Sequence, residues 1–188
     1  YNALYINYEY NEREKMLKVI SNVLTTSDCF SLYQGLITDN IWNLNRVSEY
    51  SRFGGSFPGC TLVNNGQPVF NNQYWIGYFN CLFDRINQKL SEQHNFSLQR
   101  KIQRICLNSQ NDNHYTEFHI DEKNSYSIVG FFTPQWSEEW GGELNIEGEI
   151  IKYKPGDFIL FNSNQSHKSQ KIKKIPYWRT SVSYVIEK

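Results

Sequence analysis

The sequence lacks the features that define several large classes of protein. Its four cysteines form no C-x-x-C pair, so a zinc ribbon or thioredoxin-type site is not indicated. No apolar run approaches the roughly 20 residues needed to cross a membrane. The 19 basic and 19 acidic residues balance, whereas nucleic-acid and membrane-surface binders usually show a basic excess. We therefore expect no membrane partner, regard a nucleic-acid partner as disfavoured, and expect buried thiols rather than disulfides.

The composition is that of one globular domain. The chain has 188 residues, of which 39% are hydrophobic and 16% aromatic, enough to bury one sizeable core. We therefore treat residues 1–188 as a single domain. The sequence starts at Tyr1 rather than at a methionine, so we expect these residues to come from a longer product. No signal peptide is recognisable, and we expect a cytoplasmic location.

Residues 1–99 are predicted to be mainly helical and to support the rest of the domain. The clearest helix runs from about Tyr74 to Gln93, where apolar residues recur at helical spacing and form one wide face. Asn11 and Glu14 resemble a capping box ahead of an apolar stripe formed by Met16, Val19, Ile20, Val23 and Leu24. A second, shorter helix capped by Thr38-Asp39-Asn40 is predicted to carry Ile41, Trp42, Leu44 and Val47.

A long loop is predicted between these helices. Gly, Pro and Asn dominate the segment from Arg52 to about Asn72. Long loops within compact domains are often lids or binding loops, and a plain surface connection is the alternative.

After residue 100 the pattern changes to short segments rich in β-branched and aromatic residues, separated by turn residues. The predicted strands are Lys101 to Leu107, Tyr126 to Phe132, Glu143 to Ile146, Glu149 to Tyr153, Phe158 to Phe161 and Arg179 to Ile186. Helices followed by a run of short strands favour an α+β fold that is mostly β, a helix-backed β-sandwich or jelly roll.

Three residues in the second half are candidate metal ligands. His119 and Asp121 are two residues apart, so on a strand both side chains point to one face. Several predicted strands separate them from His167, which lets the chain cross a barrel and return beside the first pair. Two imidazoles and one carboxylate leave three octahedral positions open, which suits a non-haem Fe(II) site. Zinc with an open position is the alternative metal.

The order of the surrounding sequence blocks is more specific than the ligands alone. The blocks are Tyr115 to Asp121, Phe131 to Trp136, Trp140 to Leu144, Pro155 to Phe161, Ser166-His167 and Trp178 to Ser183. Over about Arg100 to Ile186 they resemble the 2-oxoglutarate oxygenases, most of all the branch of the prolyl 4-hydroxylases and oxygen-sensing prolyl hydroxylases. This resemblance implies a double-stranded β-helix (jelly roll) core at residues 100–188, with Fe(II), 2-oxoglutarate and dioxygen as cofactors, and ascorbate as a further candidate.

The resemblance also assigns roles to residues of the candidate site. His119, Asp121 and His167 correspond to the iron ligands, and Arg179 to the residue that pairs with the distal carboxylate of 2-oxoglutarate. Ser181 and Ser183 follow Arg179 at strand spacing, so either could add a hydroxyl donor. Many relatives have a tyrosine donor where this chain has Phe131, which lacks a hydroxyl. The candidate replacements for that donor are Asn108, Gln110 and Tyr115.

The implied reaction is hydroxylation of a C–H bond with release of succinate and CO₂, at a prolyl residue of a protein or peptide. Candidates to wall the substrate groove are Trp136, Trp140, and Arg52 and Phe57 of the predicted loop. Nucleic-acid demethylation is a second hypothesis, although relatives with that activity usually carry a second arginine soon after the residue that corresponds to Arg179. Hydroxylation of a small molecule is a third hypothesis, and a non-enzymatic, cupin-like binding module that contains a metal is a fourth.

Overall fold

The computed structural model describes residues 15–42, 58–69, 72–112, 114–173 and 176–188. Two helices, α1 (Thr26–Thr38) and α2 (Gln73–His94), precede most of the strands. The strands are β1 (Leu17–Ile20), β2 (Gly59–Asn64), β3 (Gln67–Pro68), β4 (Ile102–Gln110), β5 (Ser125–Phe131), β6 (Leu144–Ile146), β7 (Glu149–Ile151), β8 (Phe158–Asn162), β9 (His167–Ser169) and β10 (Arg179–Glu187). The long predicted helix and all six predicted strands are confirmed, with ends that differ by up to three residues.

The strands form two antiparallel sheets. The larger sheet has the order β1-β8-β5-β10-β4-β2-β3, and the smaller sheet has the order β7-β6-β9. The neighbours in the larger sheet are mostly distant in sequence, as expected where a chain winds between two facing sheets. The fold is therefore α+β and mostly β, a double-stranded β-helix, as predicted.

The two faces of the larger sheet bury different kinds of side chain. Along β10, Val182, Tyr184 and Ile186 belong to the apolar cluster that α1 and α2 cover, and the Tyr184 hydroxyl donates to the Phe79 carbonyl of α2 at 2.9 Å. Residues at the alternating positions of β10 point to the other face. That face turns toward the smaller sheet, so polar residues placed there line the interior of the β-helix.

A second apolar cluster lies between the two sheets. It contains Phe131, Leu144, Ile146, Tyr153, Ile159 and Phe161. Each sheet contributes members, so this cluster holds the sheets together and leaves the candidate site beside it.

The prediction of a helix through Met16 to Leu24 is wrong. The segment forms β1, which pairs with β8 in the register Leu17 with Phe161 and Ile20 with Phe158. The apolar residues recur at helical spacing, and the long-range pairing with β8 overrides this local pattern. The proposed capping box at Asn11 and Glu14 lies outside the described residues.

The prediction of a helix that starts near Thr38 is also wrong. Helix α1 ends there, and it starts after Thr25, whose side chain accepts a hydrogen bond from the Asp28 amide at 3.1 Å. Asp28 accepts from the Thr25 amide in return, so these two residues form a capping box. This N-terminal cap lies thirteen residues before Thr38, where the sequence predicts the start of a helix. Ile41 and Trp42 are not helical, and Leu44 and Val47 lie outside the described residues.

Part of the predicted loop is a β-hairpin. Strands β2 and β3 pair through a turn in which Asn65 and Gly66 both have positive φ, 49° and 71°. Such an Asn-Gly turn is the residue pair that two-residue hairpins favour, so the sequence carried a signal for it. Residues 52–57, 70 and 71 of this loop lie outside the described part of the chain.

The four cysteines are thiols, and three of them, Cys29, Cys60 and Cys106, are buried as expected. Cys81 is exposed on α2, which corrects the expectation that all four are buried. Among the described residues, no helix is both long enough and apolar enough to cross a membrane.

Candidate active site

A pair of backbone hydrogen bonds brings the two candidate histidine ligands together. The amide of His119 donates to the carbonyl of His167 at 3.0 Å, and the reverse bond measures 2.9 Å. The ring centroids are 4.3 Å apart. This short antiparallel bridge joins the segment after β4 to strand β9, which was not predicted as a strand. Residues far apart in sequence therefore share one site.

The hydrogen bonds of both rings favour the tautomer that binds a metal through Nε2. The Nδ1 atom of His119 lies 2.9 Å from the Glu117 carbonyl, and Nδ1 of His167 lies 3.0 Å from the Gln165 carbonyl. A carbonyl only accepts, so each Nδ1 carries a hydrogen, and in the neutral imidazole the lone pair is then on Nε2. Burial lowers the pKa of His167, which favours the neutral imidazole that metals require.

Asp121 completes a group of three residues suited to a metal. Its amide donates to the Ser163 carbonyl at 2.9 Å, and its Oδ2 lies 3.6 Å from Nε2 of His167. One ligand atom from each of His119, Asp121 and His167 lies within 4.8 Å of the others. Two nitrogen donors and one carboxylate oxygen in this arrangement fit Fe(II), and they would hold it with positions left open.

Two further residues hold the Asp121 carboxylate, and sequence reasoning missed both. Nη2 of Arg104 donates to Oδ1 at 2.6 Å, and the Ser127 hydroxyl donates to Oδ2. The Ser127 hydroxyl also lies 2.9 Å from that of Ser163. Arg104 and Ser127 lie on β4 and β5, so their approach to Asp121 depends on sheet pairing rather than on any local motif.

Arg179 is a buried cation with an unmet hydrogen bond. The residue is 3% exposed, and its Nη1 donates to Oε1 of Gln110 at 2.7 Å. Among the described residues, its Nε is the one buried side-chain nitrogen or oxygen that has no hydrogen-bond partner. Burying a charged group without full compensation is costly. The donor set of Arg179 therefore fits an anionic ligand such as a carboxylate.

Aromatic rings enclose the Arg179 guanidinium. Its central carbon lies 5.3 Å from the ring centre of Phe131 and 5.1 Å from that of Tyr153. The Tyr153 hydroxyl donates to the Thr180 carbonyl at 3.0 Å, and burial raises the pKa of Tyr153 to about 12, so this ring stays neutral. A Cβ at Gly142 would lie 3.1 Å from Arg179, so the Gly-Gly turn provides close approach at this point.

The strand register places the candidate donors Ser181, Ser183 and Asn108 on the same face of the larger sheet as Arg179. Ser181 pairs with Asn108 on one side and with Phe131 on the other, so these three share a row across the sheet. Ser183 occupies the next row along the same face. Gln110, rather than Asn108, accepts the hydrogen bond from the Arg179 guanidinium. Tyr115 is half-buried in the segment that leads to His119.

The two tryptophans predicted to wall the substrate groove lie beside the aromatic rings that enclose Arg179. Trp136 stacks on Tyr153 with ring centroids 4.3 Å apart, and its indole donates to the Gly141 carbonyl at 3.1 Å. Trp140 meets Trp136 edge-on at 5.5 Å. Both are half-buried. The remaining two candidates, Arg52 and Phe57, lie outside the described residues.

The site and the fold agree with one family of enzymes. Residues 101–186 match the family model of the 2OG-Fe(II) oxygenase superfamily, which spans all three candidate metal ligands and Arg179. The second half of the chain is therefore similar to this superfamily, and Fe(II) and 2-oxoglutarate are the cofactors that the family implies. A search of curated protein sequences found no match.

Solved structures with unlike sequences share this fold. A prolyl-4-hydroxylase from Pseudomonas putida aligns with 13% identity and a TM-score of 0.64, over 93% of this chain and 94% of that chain. A prolyl hydroxylase from Trichoplax adhaerens, in complex with a hypoxia inducible factor oxygen degradation domain peptide fragment, aligns with 14% identity and a TM-score of 0.61, over 91% and 83%. The epimerase SnoN from nogalamycin biosynthesis aligns with 11% identity and a TM-score of 0.65, over 93% and 77%.

Proposed function

We propose that this oxygenase hydroxylates a C–H bond of a prolyl residue in a protein or peptide, with release of succinate and CO₂. His119, Asp121 and His167 would hold Fe(II), and Arg179 would bind the distal carboxylate of 2-oxoglutarate. The observation that carries the proposal is the buried Arg179 whose Nε has no partner, in the same β-helix as the three candidate metal ligands.

The two parts of the site lie at two levels of the same strand, β5, so a dicarboxylate such as 2-oxoglutarate could bridge them. The Arg179 guanidinium lies over Phe131, whereas Asp121 is held by Ser127 on the same strand. The four-residue step from Ser127 to Phe131 spans roughly 13 Å at the rise of a β-strand. A ligand of this kind could therefore contact the arginine at one end and a metal at the other.

Each residue has a defined task in the proposed reaction. Fe(II), when bound, would supply the redox chemistry that couples decarboxylation of 2-oxoglutarate to oxygen insertion into a C–H bond. His119, His167 and Asp121 would hold the metal, and Arg179 would orient the co-substrate through a charge-assisted contact. The rings of Phe131, Tyr153 and Trp136 would exclude water from the carboxylate. Asp121 also keeps a carboxylate where relatives that halogenate have a small residue, which favours hydroxylation.

A peptide substrate is supported by the surface around the metal ligands. His119 and Asp121 are half-buried rather than sealed. Phe118 and Ile120, which alternate with them along the chain, are 47% and 41% exposed. Apolar side chains at the mouth of a site offer contacts to an extended chain. The fold shared with two prolyl hydroxylases agrees with this choice, and the fold shared with SnoN makes a small-molecule substrate the alternative.

A succinate-release assay with parallel substrate sets tests the proposal. Purified protein with Fe(II), 2-oxoglutarate and ascorbate is supplied with proline-containing peptides, methylated oligonucleotides or a small-molecule panel. We expect succinate and a peptide mass increase of one oxygen with the proline-containing peptides, both absent with peptides in which alanine replaces proline. Oxygen addition only to the oligonucleotides or only to the small molecules would overturn the prolyl assignment while keeping the oxygenase class.

A further inference from the structure

We propose that Arg104 is a positioning residue that restricts Asp121 to one metal-binding oxygen. The inference rests on the proposed function, because that reaction needs three open positions at the metal. Arg104 lies outside the sequence blocks that carry the family resemblance. It contacts the candidate metal ligand Asp121 and is not itself a candidate ligand.

The contacts divide the two oxygens of the Asp121 carboxylate. Oδ1 accepts from Nη2 of Arg104 at 2.6 Å. Oδ2 lies 3.6 Å from Nε2 of His167, so it is the oxygen that faces the histidines, and it also accepts from the Ser127 hydroxyl. Each carboxylate oxygen has about two lone-pair sites, so Oδ2 can accept from Ser127 and still bind a metal on the side that faces His167. Oδ2 would therefore bind the metal, while Arg104 keeps Oδ1 turned away.

The larger sheet places the two donors on opposite sides of this carboxylate. Arg104 pairs with Val185 on β10, and Val185 pairs with Ser127 on β5. The row therefore has a short apolar side chain between two polar ones, about 4.8 Å from each. The Arg104 side chain is 31% exposed and that of Asp121 13% exposed, so the ion pair lies at the edge of the site and is only partly screened by solvent.

The number of oxygens that Asp121 supplies decides how many positions on the metal stay open. With one oxygen from Asp121, three of six octahedral positions are filled by the protein. The proposed reaction would need the other three positions for 2-oxoglutarate and dioxygen. If both carboxylate oxygens bound the metal, four positions would be filled and one of these partners would be excluded.

Because Arg104 is charged, its removal should affect metal binding differently from the removal of a residue that only orients a ligand. Loss of an ordinary residue that orients a ligand weakens metal binding, typically by about 10-fold to 100-fold. A guanidinium near a divalent cation repels it. Removing Arg104 should therefore leave metal binding as tight or make it tighter, because repulsion is lost and the second oxygen becomes available, whereas binding of 2-oxoglutarate should weaken.

The test uses Arg104→Met and Arg104→Gln in the whole chain, with circular dichroism to verify folding. Manganese(II) chloride is titrated by calorimetry, 2-oxoglutarate is titrated into the Mn(II)-loaded protein, and water proton relaxation counts the waters on the metal. We expect unchanged or tighter Mn(II) binding, a rise of about tenfold in the Kd for 2-oxoglutarate, and a drop from three bound waters to two, which lowers the inner-sphere relaxation by about a third.

Two variants serve as controls. Arg104→Lys keeps the charge and should restore wild-type behaviour. Arg100→Met removes an exposed arginine that pairs with Asp84, and it should change nothing. Weaker Mn(II) binding or an unchanged water count in the neutral Arg104 variants would overturn the proposal. If the wild-type protein binds Mn(II) but not 2-oxoglutarate, the proposed function fails, and the water count still decides the role of Arg104.

Discussion

The two ends of the candidate site differ in exposure and in what satisfies their charges. At the mouth, His119 and Asp121 are half-buried, and Asp121 has two donors, Arg104 and Ser127. At the enclosed end, Arg179 is 3% exposed, and its Nε has no partner. Other side chains thus meet the charge of Asp121 at the mouth, whereas one donor of Arg179 is unmet at the enclosed end.

This difference indicates which molecule each end serves. An enclosed cation with an unmet hydrogen-bond donor suits a small anion. Such an anion could be a co-substrate that is the same for every substrate. An open mouth edged by apolar residues suits a larger and more variable partner. Variants at the two ends should therefore affect different binding constants.

The largest effect is expected from loss of a metal ligand. His167→Ala removes a buried Nε2 donor, and we expect Fe(II) binding to weaken by at least about 100-fold and succinate release to fall to background. Calorimetry with Mn(II) and the succinate assay measure the two effects. His94→Ala, a histidine at the end of α2, is the matched control, and an equal loss in that variant would point to damage to the fold instead.

Removing the charge at the enclosed end should affect the co-substrate alone. Arg179→Gln loses a charge-assisted contact worth about 3 kcal/mol, so the Kd for 2-oxoglutarate should rise about 100-fold. Mn(II) affinity should stay at the wild-type value, as calorimetry can show. Arg100→Gln is the control at an exposed site. Wild-type affinity for 2-oxoglutarate in Arg179→Gln would contradict the assigned role.

A smaller effect is expected from the residue that holds Arg179. Gln110→Leu removes the acceptor of the Nη1 hydrogen bond, which leaves the arginine less well oriented. A neutral partner of a charged group contributes about 1.5 kcal/mol, so we expect the Kd for 2-oxoglutarate to rise about tenfold. Gln103→Leu, on the same strand, breaks a contact with Glu187 at the surface. The two variants should differ, and matching titrations would reject the role of Gln110.

The smallest effect is expected at the mouth. Ile120→Ala removes an exposed apolar side chain beside the metal ligands, so the KM for a peptide substrate should rise about fivefold, from a loss of about 1 kcal/mol. The Kd for 2-oxoglutarate should not change. Ile150→Ala, with 49% exposure on β7, is the control. A peptide KM that is the same in both variants would remove Ile120 from the substrate surface.

The sequence predicted the strands of the core better than the elements that precede them. Strands such as β5 and β10 carry dense β-branched and aromatic residues between clear turns, and this local signal matches the structure. The apolar residues of Met16 to Leu24 recur at helical spacing, and the pairing with β8 overrides this local pattern. The Asn-Gly turn at Asn65 and Gly66 could have been recognised.

The supporting residues of the site could not be placed from sequence. Arg104 and Gln110 lie at alternating positions of β4, which predicts one shared face. Their partners depend on the register of β4 with β10 and on the fold of the segment that carries Asp121. The available signal was the polar residues at alternate positions of β4. This pattern predicts which face the side chains share, but it does not predict which partner each side chain contacts.

The most direct test of the account is calorimetric titration of 2-oxoglutarate into the Mn(II)-loaded protein, beside the same titration without metal and with Arg179→Gln. The account predicts one molecule bound per chain, binding that requires Mn(II), and a Kd about 100-fold higher in the variant. Absence of binding by the wild-type protein, or binding that depends on neither the metal nor Arg179, would contradict it.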